Sequence, residues 1–191
     1  MSITNVSIIM PAYNSSRWIS DSIQSILDQY YEQWELLIVD DGSTDNTKNI
    51  VKNFLTDKRI KYYYQENNGP AVARNYGISK ASGKYLAFLD SDDLWKPNKL
   101  ELQLNYLKNN PDCCLIHTNY STFESNTQNS KPFRQTPWFS NWDENERLLM
   151  FDTIGTLTVF TKTQLIKNLG GFRNDFHGTE DWDLWIRVSK E

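Results

Sequence analysis

The sequence predicts an α/β fold, a three-layer α/β/α sandwich around a mostly parallel sheet. Two observations carry this expectation. Over the first 118 residues, short apolar runs alternate with segments whose apolar residues recur at helical spacing. The runs are continuously apolar, which marks strands buried on both faces of a parallel sheet with helices packed on each side. At 191 residues the chain has room for one domain.

The elements follow in order. Val6 to Met10 is the first apolar run, closed by Pro11. Trp18, Ile19, Ile23, Ile26, Leu27 and Tyr30 then fall at helical spacing, with Ser15 or Ser16 placed to cap the start. Leu36 to Val39 is a second strand, stopped by Asp40-Asp41-Gly42. Ile50, Val51, Phe54 and Leu55 mark a second helix, and Ile60 to Tyr64 a third strand. Gly69-Pro70 opens a helix carrying Val72, Ala73, Tyr76 and Ile78, and Gly83 ends it. Tyr85 to Leu89 is a fourth run, stopped by Asp90. Pro97 suits the first position of a helix bearing Leu100, Leu104 and Leu107, and Cys113 to Ile116 reads as a fifth strand.

The remainder is less regular. Residues 121–147 are rich in Ser, Asn, Gln and Thr, include Pro137, Trp138 and Trp142, and show neither helix nor strand period; such a stretch suits a lid or binding loop. Thr156 to Thr161 is a candidate strand, Leu165 to Leu169 a short helix ended by Gly170-Gly171, and Asp181 to Val188 a last helix. No terminator follows before Glu191, so the sequence is expected to continue.

Composition excludes several classes. Twenty basic residues against 24 acidic ones leave a net charge of −4, which does not suit a nucleic-acid binder. The only two cysteines, Cys113 and Cys114, are adjacent, which excludes a disulfide framework and points to a reducing compartment. Two histidines and two cysteines leave almost nothing for a zinc site. No apolar run approaches the roughly 20 residues that span a bilayer. The expected location is cytoplasmic.

In open α/β sheets, ligands bind beyond the carboxyl ends of the strands. There the sequence places Pro11-Ala12-Tyr13-Asn14, Asp40-Asp41-Gly42-Ser43-Thr44-Asp45 and Asp90-Ser91-Asp92-Asp93. Crowded carboxylates repel one another and call for a cation. Hard oxygen donors on a short turn, as at Asp90 and Asp92, suit Mn²⁺ or Mg²⁺. One aspartate of the Asp40-Asp41 pair can shape the Asp-Gly turn while the other points into the crevice and accepts from a base or ribose. Arg74 can brace an acid, contact a diphosphate or face solvent. Thr179 is a candidate helix cap ahead of Glu180 and Asp181, either of which could act as a general base. His177, Trp182 and Trp185 beside them could wall a sugar acceptor or, for the tryptophans, fill the core.

Five segments occur in a specific order: Val6 to Asn14, Leu37 to Asp45, Gly69 to Asn75, Phe88 to Asp93 and Glu180 to Trp185. Together they closely resemble family 2 glycosyltransferases of the GT-A fold, over residues 6 to about 188. The resemblance implies a nucleotide-sugar donor, most readily UDP-linked, a divalent cation (Mn²⁺ or Mg²⁺) and an inverting single displacement onto a glycan or lipid-linked acceptor. It implies a nucleotide-sugar-binding half over 1–118 and an acceptor half over 119–191. Pro11, Ala12 and Tyr13 resemble the nucleobase pocket, with Asn14 beside them, and Asp41 the aspartate that holds the base. Asp90-Ser91-Asp92 resembles the family's Asp-X-Asp motif, with Asp92 the main metal ligand and Asp90 serving metal or ribose. Arg74 completes the donor side. Asp181 resembles the catalytic base, with Glu180 the fallback, and His177, Glu180 and Trp182 fall on the acceptor side. Many relatives continue into acceptor-binding or membrane-associating segments, so association with the inner membrane face is expected. Two other readings compete. Leu86 to Asp92 also fits a haloacid-dehalogenase-like phosphatase with Asp90 as nucleophile, although the motif lies on the fourth strand. The chain could also hold a nucleotide sugar without turning it over.

Overall fold

A computed structural model of the chain describes residues 4–123, 130–132, 154–176 and 178–191. Its first half runs β1 (Val6–Ala12), α1 (Ile19–Leu27), β2 (Trp34–Asp41), α2 (Thr47–Lys52), β3 (Ile60–Gln65), α3 (Pro70–Lys80), β4 (Tyr85–Phe88), α4 (Lys99–Asn109) and β5 (Leu115–Ile116). Then come β6 (Ser121–Phe123), β7 (Ser130–Pro132), a 3-10 turn (Thr156–Thr158), β8 (Phe160–Lys162), α5 (Thr163–Asn168) and α6 (Glu180–Val188). The six-stranded sheet has the order β3-β2-β1-β4-β8-β5. Strands β1 to β4 pair in parallel, and β8 runs antiparallel to both β4 and β5.

Alternation along β1 divides the core. Val6, Ile8, Met10 and Ala12 pack toward Ile19, Ile23 and Ile26 of α1 and Leu100, Leu104 and Leu107 of α4. Ile9, on the other face, packs in a cluster with Ile78 of α3, Ile166 of α5 and Leu184 and Trp185 of α6. This is the predicted three-layer arrangement. Full burial of each such aliphatic side chain contributes about 1.5–3 kcal/mol. Helix α3 lies so close to the sheet that a Cβ on Gly77 would come within 2.6 Å of Ile9 Cγ2.

Several local expectations give way to tertiary contacts. The segment Thr156 to Thr161 does not form one strand: the Thr158 hydroxyl donates to Gly155 O at 2.6 Å, which favours a turn before β8. Pro97 sits in a turn, and α4 starts at Lys99, because Pro97 O accepts from Tyr30 N (2.9 Å) and Lys96 O from Lys99 N (3.1 Å). The fifth strand shortens to two residues, with Cys113 N turned back to Asn110 O. Neither Ser15 nor Ser16 caps α1; the Ser15 hydroxyl is engaged with Tyr13 O and Ser91 Oγ. Within 121–147, where no strand was expected, β6 and β7 form an antiparallel ladder. Pro137, Trp138 and Trp142 lie outside the described residues.

At the amino-terminal end of the sheet a buried carboxylate ties three segments together. Glu35 Oε1 accepts from Ser7 Oγ (2.7 Å), Ser82 N (2.8 Å) and Ser82 Oγ (2.7 Å), and Oε2 from Lys61 Nζ (2.7 Å). Gly83 N donates to Ser7 Oγ at 2.9 Å, and a Cβ there would meet Ser7 N at 2.6 Å. Gly83 therefore serves a close backbone approach, three residues beyond the end of α3. Burial alone would push the Glu35 carboxyl up, but the donors from Lys61, Ser7 and Ser82 outweigh it and hold the carboxyl below its ordinary value.

Glu35→Gln should lower unfolding stability at pH 7 by about 2 kcal/mol, the scale of a lost charge-assisted bond. The folded-state value lies below the unfolded one near 4.3, so the stabilisation is full above that pH and disappears as pH falls through the folded value. Urea titrations should show the wild-type advantage at pH 7 and its progressive loss as the pH is lowered through the folded-state value. Gly83→Ala should destabilise more strongly, since the new atom meets backbone.

Candidate active site at the carboxyl edge of the sheet

Strands β1, β2 and β4 are neighbours and parallel, so the segments after them meet on one rim. They enclose a cleft of about 560 Å³. Pro11, Ala12, Tyr13 and Asn14 line it from β1, and Asp41 from β2. Arg74 of α3 and Asp90, Ser91 and Asp92 after β4 line the rest. All nine residues placed on the donor side from the sequence thus share one cavity.

The two adjacent aspartates divide their work. Asp40, buried, shapes the turn: Oδ1 accepts from Ser43 N at 2.8 Å and Oδ2 from Tyr62 Oη at 2.6 Å. Asp41 borders the cleft. Its Oδ1 accepts from Gln65 Nε2 (2.7 Å) and Asn68 N (2.9 Å), and its Oδ2 from Gly69 N (2.8 Å). Three donors hold the carboxylate in one rotamer. Asp41 also anchors the loop between β3 and α3, which brings Asn67, Gly69 and Pro70 to the cleft.

Hydrogen bonds stitch the rim loops to one another. Asn14, with a left-handed φ of 49°, donates from its N–H to Ser43 Oγ (2.9 Å), and its Oδ1 accepts from Thr44 N (2.8 Å). Asp45 accepts from Ser16 N and Thr47 N, each at 2.9 Å, and so ties the loop after β1 to the start of α2. Burial opposes the Asp45 charge, yet bonds from Thr47 and Ser16 bring its carboxyl down to about 2. The hydroxyls of Ser15 and Ser91 lie 2.6 Å apart, and Ser91 O accepts from Ser22 of α1 at 2.9 Å. Ser91 thus fixes the Asp-Ser-Asp turn against α1.

Arg74 is a buried brace rather than a solvated helix residue. Its Nη2 donates to both oxygens of Asp90 (2.9 and 3.1 Å) and its Nη1 to Glu180 Oε1 (3.0 Å). Burial works against its charge, but Asp90, Glu180 and Asp181 overcome that and keep it more firmly protonated than usual. With both oxygens in this ion pair, Asp90 is poorly disposed to attack phosphorus as a phosphatase nucleophile would. Glu180, buried, also accepts from Gly178 N at 2.9 Å, so both its oxygens are engaged.

The donor set suits a hard divalent cation. Asp92 is exposed on the cleft and makes no hydrogen bond or ion pair among the described residues. Burial, and secondarily the charges of Asp90 and Asp92, push the Asp93 carboxyl up to about 6. Among the described residues no cluster of three or more metal-binding side chains is preassembled. A Mn²⁺- or Mg²⁺-type ion needs only one or two carboxylates and completes its shell with phosphate and water.

Asp181 stands in the first turn of α6. It is half-buried; Oδ2 accepts from Thr156 Oγ1 (2.6 Å) and Oδ1 from Trp182 N (2.9 Å). Trp182 packs, partly buried, against the cluster that holds Ile9 and Ile78, and Trp185 is buried in that cluster. His177 lies outside the described residues. Trp18 and Asn67 line the cleft without having been anticipated. The Asn-Asn-Gly-Pro turn after β3 could have revealed Asn67, because it ends a parallel strand as the other clusters do.

Replacing Arg74 by Met should leave two carboxylates facing each other without a counter-charge. Removing one partner from a buried ion pair costs about 3–5 kcal/mol. Chemical denaturation of Arg74→Met should show a loss of that order. Arg74→Lys should restore only part of it, since an ammonium cannot reproduce the fork. Unchanged stability in Arg74→Met would mean that the arginine braces nothing.

Comparison with known proteins agrees with this geometry. The family model described as "Glycosyl transferase family 2" matches residues 7–168. The Escherichia coli UDP-Glc:alpha-D-GlcNAc-diphosphoundecaprenol beta-1,3-glucosyltransferase WfgD is 42% identical over 188 residues, covering 97% of this chain and 70% of its own. Two solved structures share the fold. Staphylococcus aureus TarS 1-349 in complex with UDP superposes with a TM-score of 0.79 at 22% identity, over 96% of this chain and 54% of that one. The mannosyltransferase PcManGT from Pyrobaculum calidifontis, in complex with GDP-Man and Mn²⁺, gives 0.76 at 23% identity, over 96% and 51%. The chain spans 26–31% of the length of relatives from Rickettsia bellii, Rickettsia felis and Rickettsia conorii, and 58% of those from Rickettsia typhi and Rickettsia prowazekii. The family model spans most of the sheet and the acidic rim, and WfgD matches nearly the whole chain: the chain belongs to glycosyl transferase family 2.

Proposed function

We propose that this chain is the catalytic part of a metal-dependent, inverting glycosyltransferase. It would move a sugar from a UDP-sugar to a hydroxyl of a cell-surface polysaccharide or lipid-linked glycan. One observation carries the reading: Asp41, Arg74 and the Asp90-Ser91-Asp92 turn border a single cleft of about 560 Å³ at the carboxyl edge of parallel strands. A cavity of that size accommodates a nucleotide sugar. The UDP complex of TarS and the UDP-Glc named for WfgD support the choice of nucleotide. The Mn²⁺ of PcManGT supports the choice of cation.

Each residue then has a task. Pro11, Ala12 and Tyr13 flank the base; Tyr13 is half exposed and free to lie against a ring. Asp41, with its oxygens already oriented, sits where it can accept from a base N–H. Asp92, with Asp90 beside it, would hold the cation and the diphosphate. A divalent cation bound there supplies the positive charge that stabilises a leaving diphosphate. Asp181 takes the proton from the acceptor oxygen as that oxygen bonds to the anomeric carbon. The bond from the anomeric carbon to the diphosphate oxygen breaks, and its electron pair leaves with the nucleotide. Positive charge spreads over the sugar ring in the transition state, as in glycoside hydrolysis. On this reading, residues 1–118 bind the donor and residues 119–191 face the acceptor.

A cytoplasmic protein working at the inner membrane face suits the lipid-linked acceptor named for WfgD. Among the described residues no helix is long and apolar enough to cross a membrane. The net charge of −4 supports a reading without nucleic-acid partners.

In thermal-shift measurements, UDP with Mn²⁺ should raise Tm more than UDP alone, since a ligand of the folded state stabilises by about 2.7 kcal/mol at a hundredfold excess over Kd. Asp92→Asn should abolish the Mn²⁺-dependent part and leave Tm without ligand nearly unchanged. Undiminished Mn²⁺-dependent UDP binding in that variant would remove Asp92 from the metal site. Asp181→Asn should keep UDP binding and lose at least about 100-fold in UDP release from a UDP-sugar. Tight UDP binding with no turnover by the wild type would favour the non-catalytic binding module.

A further inference from the structure

The described residues hold Asp181 through a contact with Thr156, a residue to which the sequence motifs gave no role. Thr156 Oγ1 lies 2.6 Å from Asp181 Oδ2. An ionised carboxylate only accepts, so the hydroxyl is the donor. Asp181 Oδ1 is occupied by the N–H of the next residue, Trp182, at 2.9 Å. The carboxylate is thus gripped at both oxygens, and each oxygen keeps a second acceptor direction for an incoming hydroxyl.

Thr156 is itself held in place. Its 3-10 turn is anchored from the α4 side: Trp95 Nε1 donates to Leu157 O at 3.0 Å and Gln103 Nε2 to Thr158 O at 2.8 Å. Lys99 Nζ lies 2.6 Å from Gln103 Oε1, which orients that amide with its NH₂ toward the turn. Trp95, Lys99, Gln103, Thr156 and Thr158 are all buried. The two threonines of the turn differ in use. Thr158 bonds within its own turn, to Gly155 O, whereas Thr156 reaches a carboxylate 25 residues away.

We infer that Thr156 is a positioning residue: its hydroxyl, presented by a turn anchored to α4, fixes the Asp181 carboxylate in the orientation from which it accepts the acceptor's proton. The inference rests on the reading of Asp181 as the base. Misplacing a reacting group by about 1 Å can cost on the order of 100-fold in rate.

The test measures UDP release from UDP-Glc and UDP-GlcNAc with Mn²⁺, together with UDP binding and Tm. Thr156→Val, which keeps the shape and loses the donor, should lower kcat about 10- to 100-fold with KM for the donor within about twofold. Thr156→Ser, which restores the hydroxyl, should recover most of the rate. On the residual rate of Asp181→Asn, adding Thr156→Val should change little, because the hydroxyl acts through that carboxylate. A Thr156→Val enzyme within twofold of wild-type kcat, beside an inactive Asp181→Asn, would overturn the inference and leave the base assignment intact. So would a loss of equal factor in the Asp181→Asn background. Wild-type rate in Asp181→Asn, or no turnover by the wild type with either donor, would overturn both readings. If Thr156→Val fails to fold, Thr156→Ala is measured in its place; failure of both to fold would assign the hydroxyl to stability and refute its positioning role.

Discussion

The cleft depends on the distribution of charge around Arg74. Two carboxylates that are 90 residues apart in the chain, Asp90 and Glu180, meet one buried guanidinium. Without it, the end of β4 and the start of α6 would repel across a region poorly served by water. With it, the Asp-Ser-Asp turn and the helix bearing Asp181 are held at a set distance. A planar fork with separate Nη1 and Nη2 donors does this where a single ammonium could not. One buried cation therefore joins the turn after β4 to the start of α6. The negative charge it leaves uncompensated, at Asp92 and Asp93, gathers where a divalent cation would be useful.

The two ends of the sheet spend their polar groups differently. At the amino-terminal end, Glu35, Ser7 and Ser82 satisfy one another and allow Gly83 to approach β1 closely. Nothing there lines the cleft, so that network acts on stability alone. At the carboxyl end, polar groups from successive loops bond across to one another, Asn14 to Thr44 and Ser15 to Ser91. Each loop is short, and each is restrained by a neighbour rather than by its own conformation. This is how groups on loops acquire the precision of groups on strands.

Much of the fold was legible in the sequence because continuous apolar runs and helical spacing are strong local signals. The four parallel strands, their helices and the short helix before Gly170 came from them directly. What failed was decided by side chains reaching elsewhere. Ser15 suits a helix cap, but its hydroxyl found Tyr13 O and Ser91. Thr156 to Thr161 has β-branched residues enough for a strand, but Thr158 bonded its own backbone and made a turn. Pro97 suits a first helical turn, but its carbonyl was taken by Tyr30. The position of β8, inserted antiparallel between β4 and β5, had no local signature, because the strands it pairs with are a long-range choice.

The sequence by itself determined which residues could form the site, since acids and turn formers after apolar runs must emerge at the carboxyl ends of parallel strands. It could not determine how adjacent, chemically identical groups divide their tasks. Only the tertiary structure decided that Asp40 closes a turn while Asp41 borders the cleft, and that Arg74 is buried between two acids. It alone set Glu180 against that arginine while Asp181, one residue on, meets Thr156. The reason is directional: successive side chains leave the backbone at different angles, and the partners that satisfy them come from distant segments whose approach no local pattern encodes.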